Sequence, residues 1–120
     1  MHSEVVRKRE PEIRLAAPQD LDALLDLYTH LHSSESKPSI DEKILKTWNQ
    51  ILTDPRISCF VLAESDTLLS TCLLDIVPNL TRGVRPFGVL QNVVTSREAR
   101  GRGLGARLIR EALEVAWSND

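Results

Sequence analysis

Long apolar runs are missing from this 120-residue sequence. No stretch approaches the roughly 20 apolar residues that a membrane-spanning helix needs. The N-terminal stretch, MHSEVVRKRE, is too polar for a secretory signal peptide. We therefore expect a cytoplasmic protein that does not bind membranes.

Cysteine and histidine are also scarce. The 2 cysteines, Cys59 and Cys72, lie in apolar stretches and lack the C-x-x-C spacing of redox and zinc sites. We expect two reduced thiols in the core, which fits a reducing compartment. The 3 histidines form no cluster with acidic residues at a recognisable spacing, so the sequence predicts no metal site.

An excess of either charge is missing too, since the formal net charge is −2. A surface of this kind gives no reason to expect nucleic-acid binding. Apolar residues make up 42% and charged residues 27%, which are ordinary values for a globular protein.

Residues 1–11 are highly charged and end at Pro11. We predict a flexible arm at 1–11 and a single domain at 12–120.

Hydrophobic periodicity predicts strands at 12–16, 57–63, 68–77 and 87–95, and helices at 18–31, at 40–53 and from about 104 to 117. A capping box, Ser39 with Glu42, predicts the start of the second helix. The last three strands follow one another through short connections, which favours an antiparallel meander. The order β-α-α-β-β-β-α predicts an α/β (α+β) fold, with a mixed, mainly antiparallel sheet flanked by helices.

The most informative stretch is RGRGLGA at residues 100–106. It follows a strand-like run and opens an amphipathic helix, so its glycines allow an anion to sit on the helix N-terminus. G-x-G-x-x-A also fits the dinucleotide fingerprint, but 14 residues after Ala106 are too few for the strand and acidic residue that it requires. No Lys-Ser/Thr pair follows the last glycine, which excludes a nucleotide P-loop. A tight turn without a ligand is the remaining alternative.

The same stretch carries a family resemblance. Arg100, Gly103 and Gly105 match the motif Q/R-x-x-G-x-G/A without a gap, and LQNVV at residues 90–94 looks like the strand that precedes it. Together with the element order, the chain resembles the GCN5-related N-acetyltransferase (GNAT) superfamily from residue 13 to about residue 117. The resemblance implies an acyl-CoA N-acyltransferase-like fold. It also implies acetyl transfer from acetyl-coenzyme A to a primary amine of a small molecule or protein, by direct attack and with coenzyme A as product.

The resemblance further implies where the cofactor binds. Backbone amides of the glycine-rich stretch would wrap the diphosphate, and Arg100 and Arg102 would add charge-assisted contacts. The preceding strand end would pair with the pantetheine arm, and one of its amides would polarise the thioester carbonyl. The implied cofactor residues are Val93, Val94, Thr95, Arg100, Gly101, Arg102, Gly103, Leu104, Gly105 and Ala106.

A general base must deprotonate the acceptor ammonium before it attacks the thioester. Many members of the superfamily use a glutamate on the strand before the turn, where this chain has Gln91-Asn92. Asp75, in the preceding strand, is the candidate base, and the alternative for it is an ordinary solvated strand residue. The role of base could also fall to solvent alone. Asn92 is a candidate for orienting the acceptor or a water molecule. Tyr28 falls on the apolar stripe of the first helix, so we expect it in the core.

Four residues are candidates for binding the acceptor. Two are histidines at the end of the first helix, and two are arginines in the loop at 79–86. A surface or structural role is the alternative for each. They are His30, His32, Arg82 and Arg85.

Members of the superfamily continue beyond the central helix, so we expect this chain to lack the C-terminal β-α-β part. That part normally covers the edge of the strand at 87–95. An uncovered edge invites pairing with another copy, so we predict a homo-oligomer such as a dimer. Two alternatives to an enzyme stay open: a non-catalytic module that binds coenzyme A or an acyl-CoA, and an inactive truncated fragment.

Overall fold

The computed structural model describes residues 11–31 and 36–118. Residues 1–10 of the predicted arm and the candidate His32 lie outside these ranges. Single turns of 3₁₀ helix occur at Pro18–Asp20 and Arg97–Ala99. The strands are β1 (Glu12–Leu15), β2 (Ile57–Glu64), β3 (Thr67–Val77) and β4 (Phe87–Thr95), and the helices are α1 (Leu21–Tyr28), α2 (Glu42–Thr53) and α3 (Leu104–Ser118).

The strands form one antiparallel sheet in the order β1-β2-β3-β4. This arrangement confirms the predicted fold class and element order. Successive residues of β2 face opposite sides, so that Val61 packs among residues of α1 and α2 while Leu62 packs against α3. Both side chains are fully buried at 0% exposure. The two central strands are therefore covered on both faces, which explains why β2 reads as a continuous apolar run.

Helices α1 and α2 begin differently from the prediction. Asp41, and not Ser39, caps α2, because its carboxylate accepts a hydrogen bond from the Ile44 amide at 2.9 Å. Asp20 precedes α1 and accepts hydrogen bonds from the Ala17 amide at 2.6 Å and from Arg14 at 2.7 Å. The Arg14 guanidinium holds the pKa of that carboxyl below its usual range.

The C-terminal end of α1 also departs from the prediction. The α-helix ends at Tyr28 and the chain continues as a tight turn. In this turn the amides of Thr29, His30 and Leu31 donate to carbonyls three residues earlier. The predicted helix extends to Leu31, but the Leu31 side chain is 38% exposed, whereas that of Leu27 is buried at 3%. The buried face of α1 is therefore Leu21, Leu24 and Leu27.

Strand β4 is bulged near its middle. In the pairing with β3, Val94 lies opposite Thr71 but Gln91 lies opposite Leu73, so two residues of β4 stand across from one residue of β3. Asn92 is one of these two residues and has a φ of 52°, in the left-handed region. Bulges unpair the backbone locally and turn a strand. The bulge lies on the edge strand, before the strand reaches the glycine-rich turn.

Candidate functional site

The glycine-rich stretch connects the end of β4 to the start of α3. Gly101 and Gly103 adopt φ values of 87° and 73°, which side-chain-bearing residues seldom take. The first hydrogen bond of the helix runs from the Arg107 amide to the Gly103 carbonyl, at 3.1 Å. The amides before it, from Leu104 to Ala106, have no partner within a helix and point out of its end. The N-terminus of α3 therefore presents amide donors, and its dipole favours an anion there.

Gly105 is needed for a different reason. A Cβ built on Gly105 would lie 2.9 Å from the Thr95 hydroxyl oxygen, closer than real Cβ contacts. That hydroxyl is in turn 3.0 Å from the hydroxyl of Ser70, which is fully buried in β3. The first turn of α3 thus packs directly on the end of β4, and this contact sets the position of the helix N-terminus.

Changing Gly105 to valine is expected to destabilise the fold by about 1–3 kcal/mol, as overpacking a filled site does. The Thr95 side chain is the obstacle, so Thr95→Ala should recover part of the loss in the double variant. Urea denaturation of the two single variants and the double variant measures this coupling. Additive losses would mean that the contact does not position α3.

Two arginines of the stretch are held beside the turn. The Nε atom of Arg100 donates to the Thr95 carbonyl at 3.2 Å. Arg102 forms an ion pair with Glu64 at the end of β2, with 2.9 Å between Nη2 and Oε2. A guanidinium has five N–H groups, so each side chain keeps donors for a further anion. The turn therefore combines amide donors with two guanidinium groups.

Three further predicted residues, Val93, Val94 and Thr95, form the end of β4 next to the turn. Val94 is buried at 5% exposure and anchors the strand, whereas Val93 is 37% exposed. Since β4 is the last strand in the sheet order, its outer edge faces away from β3. The structure thus brings the whole predicted cofactor set together at one end of α3.

Tyr28 belongs to α1, which packs on the sheet face opposite the one that α3 covers. Its ring packs against the cluster that contains Leu73 and Val94. Burial raises its pKa from 10.0 to about 12, and an interaction with the side chain of Asn92 partly offsets this rise. The prediction that Tyr28 belongs to the core is therefore correct for its ring. Apolar periodicity gives no information about the surroundings of its hydroxyl group.

Asp75 lies farther along β3. It is opposite Val89, whereas the bulge is opposite Cys72, so the two positions are three residues apart along β3. At 3.3 Å per residue this is about 10 Å along the strand. Asp75 is half-buried, on the same sheet face as Leu73.

The candidate acceptor residues do not form one site. The Nδ1 atom of His30 accepts a hydrogen bond from the Arg97 amide at 3.2 Å, which ties the end of α1 to the turn after β4. Arg82 and Arg85 line a cleft of about 780 Å³ with Phe87 and Trp117, beside the last turns of α3. A helix of 15 residues is about 22 Å long, so this cleft lies at the opposite end of α3 from the glycine-rich turn.

Among residues 11–31 and 36–118, no group of three or more His, Cys, Asp or Glu side chains is placed to hold a metal ion. Within the same residues, no helix is long and apolar enough to cross a membrane.

Comparison with known proteins agrees with this geometry. The sequence pattern of the Acetyltransferase (GNAT) family matches residues 21–120. A provisionally named acetyltransferase from Agrobacterium tumefaciens is 38% identical, with a TM-score of 0.82 over 89% of this chain and 74% of that one. An acetyltransferase from Trypanosoma brucei is 28% identical, with a TM-score of 0.78 over 91% of this chain and 76% of that one.

A more distant structure contains acetyl-CoA. It is a predicted acetyltransferase with acetyl-CoA from Clostridium acetobutylicum, 21% identical, with a TM-score of 0.64 over 89% of this chain and 76% of that one. A comparison of the sequence with curated proteins found no match. The family match covers most of the chain and includes the glycine-rich turn and α3. The chain belongs to the GNAT family of acetyltransferases.

Proposed function

We propose that the chain is an N-acetyltransferase that moves the acetyl group of acetyl-CoA to a primary amine. The observation that carries the proposal is that two features are joined by one turn. The edge strand β4 is bulged at Asn92, and α3, which follows it, begins with free amides at Leu104–Ala106. An extended thioester cofactor needs both features: a strand edge for its amide-containing arm and amide donors for its diphosphate.

The diphosphate would lie on the amides of Gly101–Ala106, with Arg100 and Arg102 at its sides. The Glu64–Arg102 ion pair is partly exposed, so an anion with two negative charges can compete for the guanidinium at low cost. The pantetheine arm would follow the outer edge of β4 at Val93–Thr95. One amide near the bulge would donate to the thioester oxygen as negative charge develops on it.

The chemical step would be direct attack of the neutral amine on the thioester carbon. The C–N bond forms, the C–S bond breaks, the thiolate leaves, and the nitrogen of the new amide loses its extra proton to solvent. Neither cysteine is suited to a covalent intermediate, because burial raises the pKa of both Cys59 and Cys72 to about 11. Asn92 carries no basic group, so it would orient the acceptor or a water molecule. Asp75 would accept the ammonium proton through water, since it lies along β3 from the bulge.

Tyr28 is not suited to protonate the leaving thiolate. A phenol with a pKa of about 12 is a weaker acid than a thiol, whose ordinary pKa is about 8.5. Proton transfer from Tyr28 to sulfur is therefore uphill, so Tyr28 would not act as the acid. Solvent supplies this proton in the proposed mechanism.

Acetyl-CoA is expected to raise the melting temperature of the chain. A ligand at 100 times its Kd stabilises the folded state by about 2.7 kcal/mol, or roughly 10 °C for a domain of this size. Differential scanning fluorimetry measures the shift, and a thiol-release assay with a panel of primary amines measures turnover. A shift without thiol release would favour the non-catalytic binding module. The absence of any shift at millimolar ligand would contradict the proposed cofactor.

A further inference from the structure

One hydrogen bond joins the end of α1 to the 3₁₀ turn that leads from β4 into the glycine-rich stretch. The backbone amide of Arg97 donates to the Nδ1 atom of His30 at 3.2 Å. The sheet and the core hold the two sides of this turn, because the Ser96 amide donates to the Leu69 carbonyl at 2.8 Å and Ala99 is buried at 1% exposure. Between them Arg97 is exposed, and His30 supplies the hydrogen bond there.

The acceptor in this hydrogen bond exists only on a neutral imidazole. Nδ1 can accept from the Arg97 amide only while it carries no proton, so the ring proton must be on Nε2. In the imidazolium form both ring nitrogens are donors, and the Nδ1–H of His30 would then face the Arg97 N–H. Histidine side chains change charge between about pH 5 and pH 8. We therefore expect the contact at the upper end of this range and its loss at the lower end.

Charged groups of both signs surround the imidazole. It lines a cleft of about 390 Å³ together with three carboxylates, one each from α1, the β2–β3 turn and the 3₁₀ turn: Asp26, Asp66 and Glu98. Carboxylates attract an imidazolium. Lys37, which lies 3.2 Å from the Asp26 carboxylate, and the guanidinium of Arg97 repel it. A substitution at position 30 leaves all of these charges in place.

We propose that His30 is a positioning residue: its neutral imidazole holds the turn at Arg97–Ala99, and with it the start of the glycine-rich stretch, in the arrangement that receives the cofactor diphosphate. The turn ends directly before Arg100 and Gly101, so a shift of the turn moves the backbone that would surround the diphosphate. The part that concerns the diphosphate rests on the proposed function, whereas the contact itself does not. His30 touches neither cofactor nor acceptor in this role and acts through the Arg97 backbone.

Two substitutions separate the acceptor atom from its titration. Asparagine carries an oxygen, Oδ1, as many bonds from the backbone as Nδ1, and this oxygen accepts hydrogen bonds without titrating. Leucine offers no acceptor. His30→Asn should therefore keep the contact at pH 8 and at pH 5.5, His30→Leu should lack it at both, and only the wild type should change. The other histidines, His2 and His32, are the same in all three proteins, so their titration cancels in the comparison.

The structural readout is NMR spectroscopy without any ligand. A scalar coupling between the Arg97 amide nitrogen and the His30 Nδ1 nitrogen is transmitted only through an N–H···N hydrogen bond. In the wild type this coupling should be present at pH 8 and absent at pH 5.5. Its absence at pH 8, or its persistence after the imidazole gains a proton, would overturn the proposal whether or not the chain proves to be an enzyme.

The functional readout is isothermal titration of acetyl-CoA at the same two pH values. Between pH 8 and pH 5.5 the wild type should lose about three- to tenfold more affinity than His30→Asn, which is the effect of one partly exposed hydrogen bond. His30→Leu should bind about three- to tenfold more weakly than the wild type at pH 8 and should depend on pH no more than His30→Asn. Equal pH dependence in all three proteins would show that His30 does not position the turn. A wild type that shows the coupling but binds no acetyl-CoA would contradict both the proposed function and the positioning role, and would keep only the hydrogen bond.

Discussion

Gly103→Ala is expected to weaken acetyl-CoA binding by at least about tenfold, while Gly83→Ala leaves it unchanged. The two glycines are matched, because their φ values are 73° and 74° and a Cβ at either position would meet no atom within 4 Å. Alanine therefore costs about 1–2 kcal/mol of backbone strain at both positions. Only Gly103 lies next to the amides that would hold the diphosphate. If the backbone at position 103 shifts to relieve the strain, these amides turn away from the ligand.

Isothermal titration of acetyl-CoA measures both affinities, and urea denaturation measures both stabilities. The expected pattern is a similar loss of stability in the two variants with a loss of affinity in Gly103→Ala alone. A tenfold loss corresponds to about 1.4 kcal/mol, which is well above the error of such titrations. Equal affinity in the two variants would contradict the placement of the diphosphate on this turn.

The sheet and its helices were predictable because their signals are local. The four strands and three helices follow from apolar periodicity, and the predicted strand at 87–95 coincides with β4. The glycine-rich stretch also has a local signature, since glycine at 101 and 103 is required by the backbone itself. The reason for glycine at position 105 is not local. A larger side chain there would collide with the Thr95 hydroxyl across the contact between α3 and β4, and no sequence pattern encodes that contact.

The bulge and its neighbours were not predictable in this way. Its position depends on the register between β3 and β4, which is set by tertiary packing over the whole strand pair. Asn92 reads as an ordinary polar strand residue, although asparagine tolerates a positive φ better than most residues. The separation of His30 from Arg82 and Arg85 depends on which end of α3 each loop reaches, and sequence spacing does not give that. Self-association through the edge of β4 stays a prediction.

The folded chain is expected to lose several kcal/mol of stability between pH 9 and pH 12. Burial raises the pKa of Tyr28 from 10.0 to about 12 and raises the pKa of Cys59 and Cys72 from 9.0 to about 11. In the unfolded chain these groups ionise at their ordinary values, so unfolding releases protons in this range. Stability is therefore intact below pH 9 and falls as pH rises through the folded-state values. Each group contributes up to about 3 kcal/mol, against a total of about 5–15 kcal/mol for a typical domain.

Urea midpoints at pH 8 and pH 11.5 measure this loss, and the variants divide it among the three groups. Tyr28→Phe keeps the ring packing and removes one titrating group, so the difference between the two pH values should shrink by about 1–2 kcal/mol. Cys72→Ala should reduce the difference in stability between the two pH values by a similar amount. Any loss of stability that this variant shows at pH 8 does not matter, because the two pH values are compared within each variant.

Tyr28 is the 1 tyrosine of the chain, so the phenolate absorbance reports its ionisation directly. Asn92→Gly should raise its pKa further, since the Asn92 contact lowers it. A phenolate that forms at its ordinary pH in the folded wild type would mean that the Tyr28 ring is not buried against Leu73 and Val94 as described.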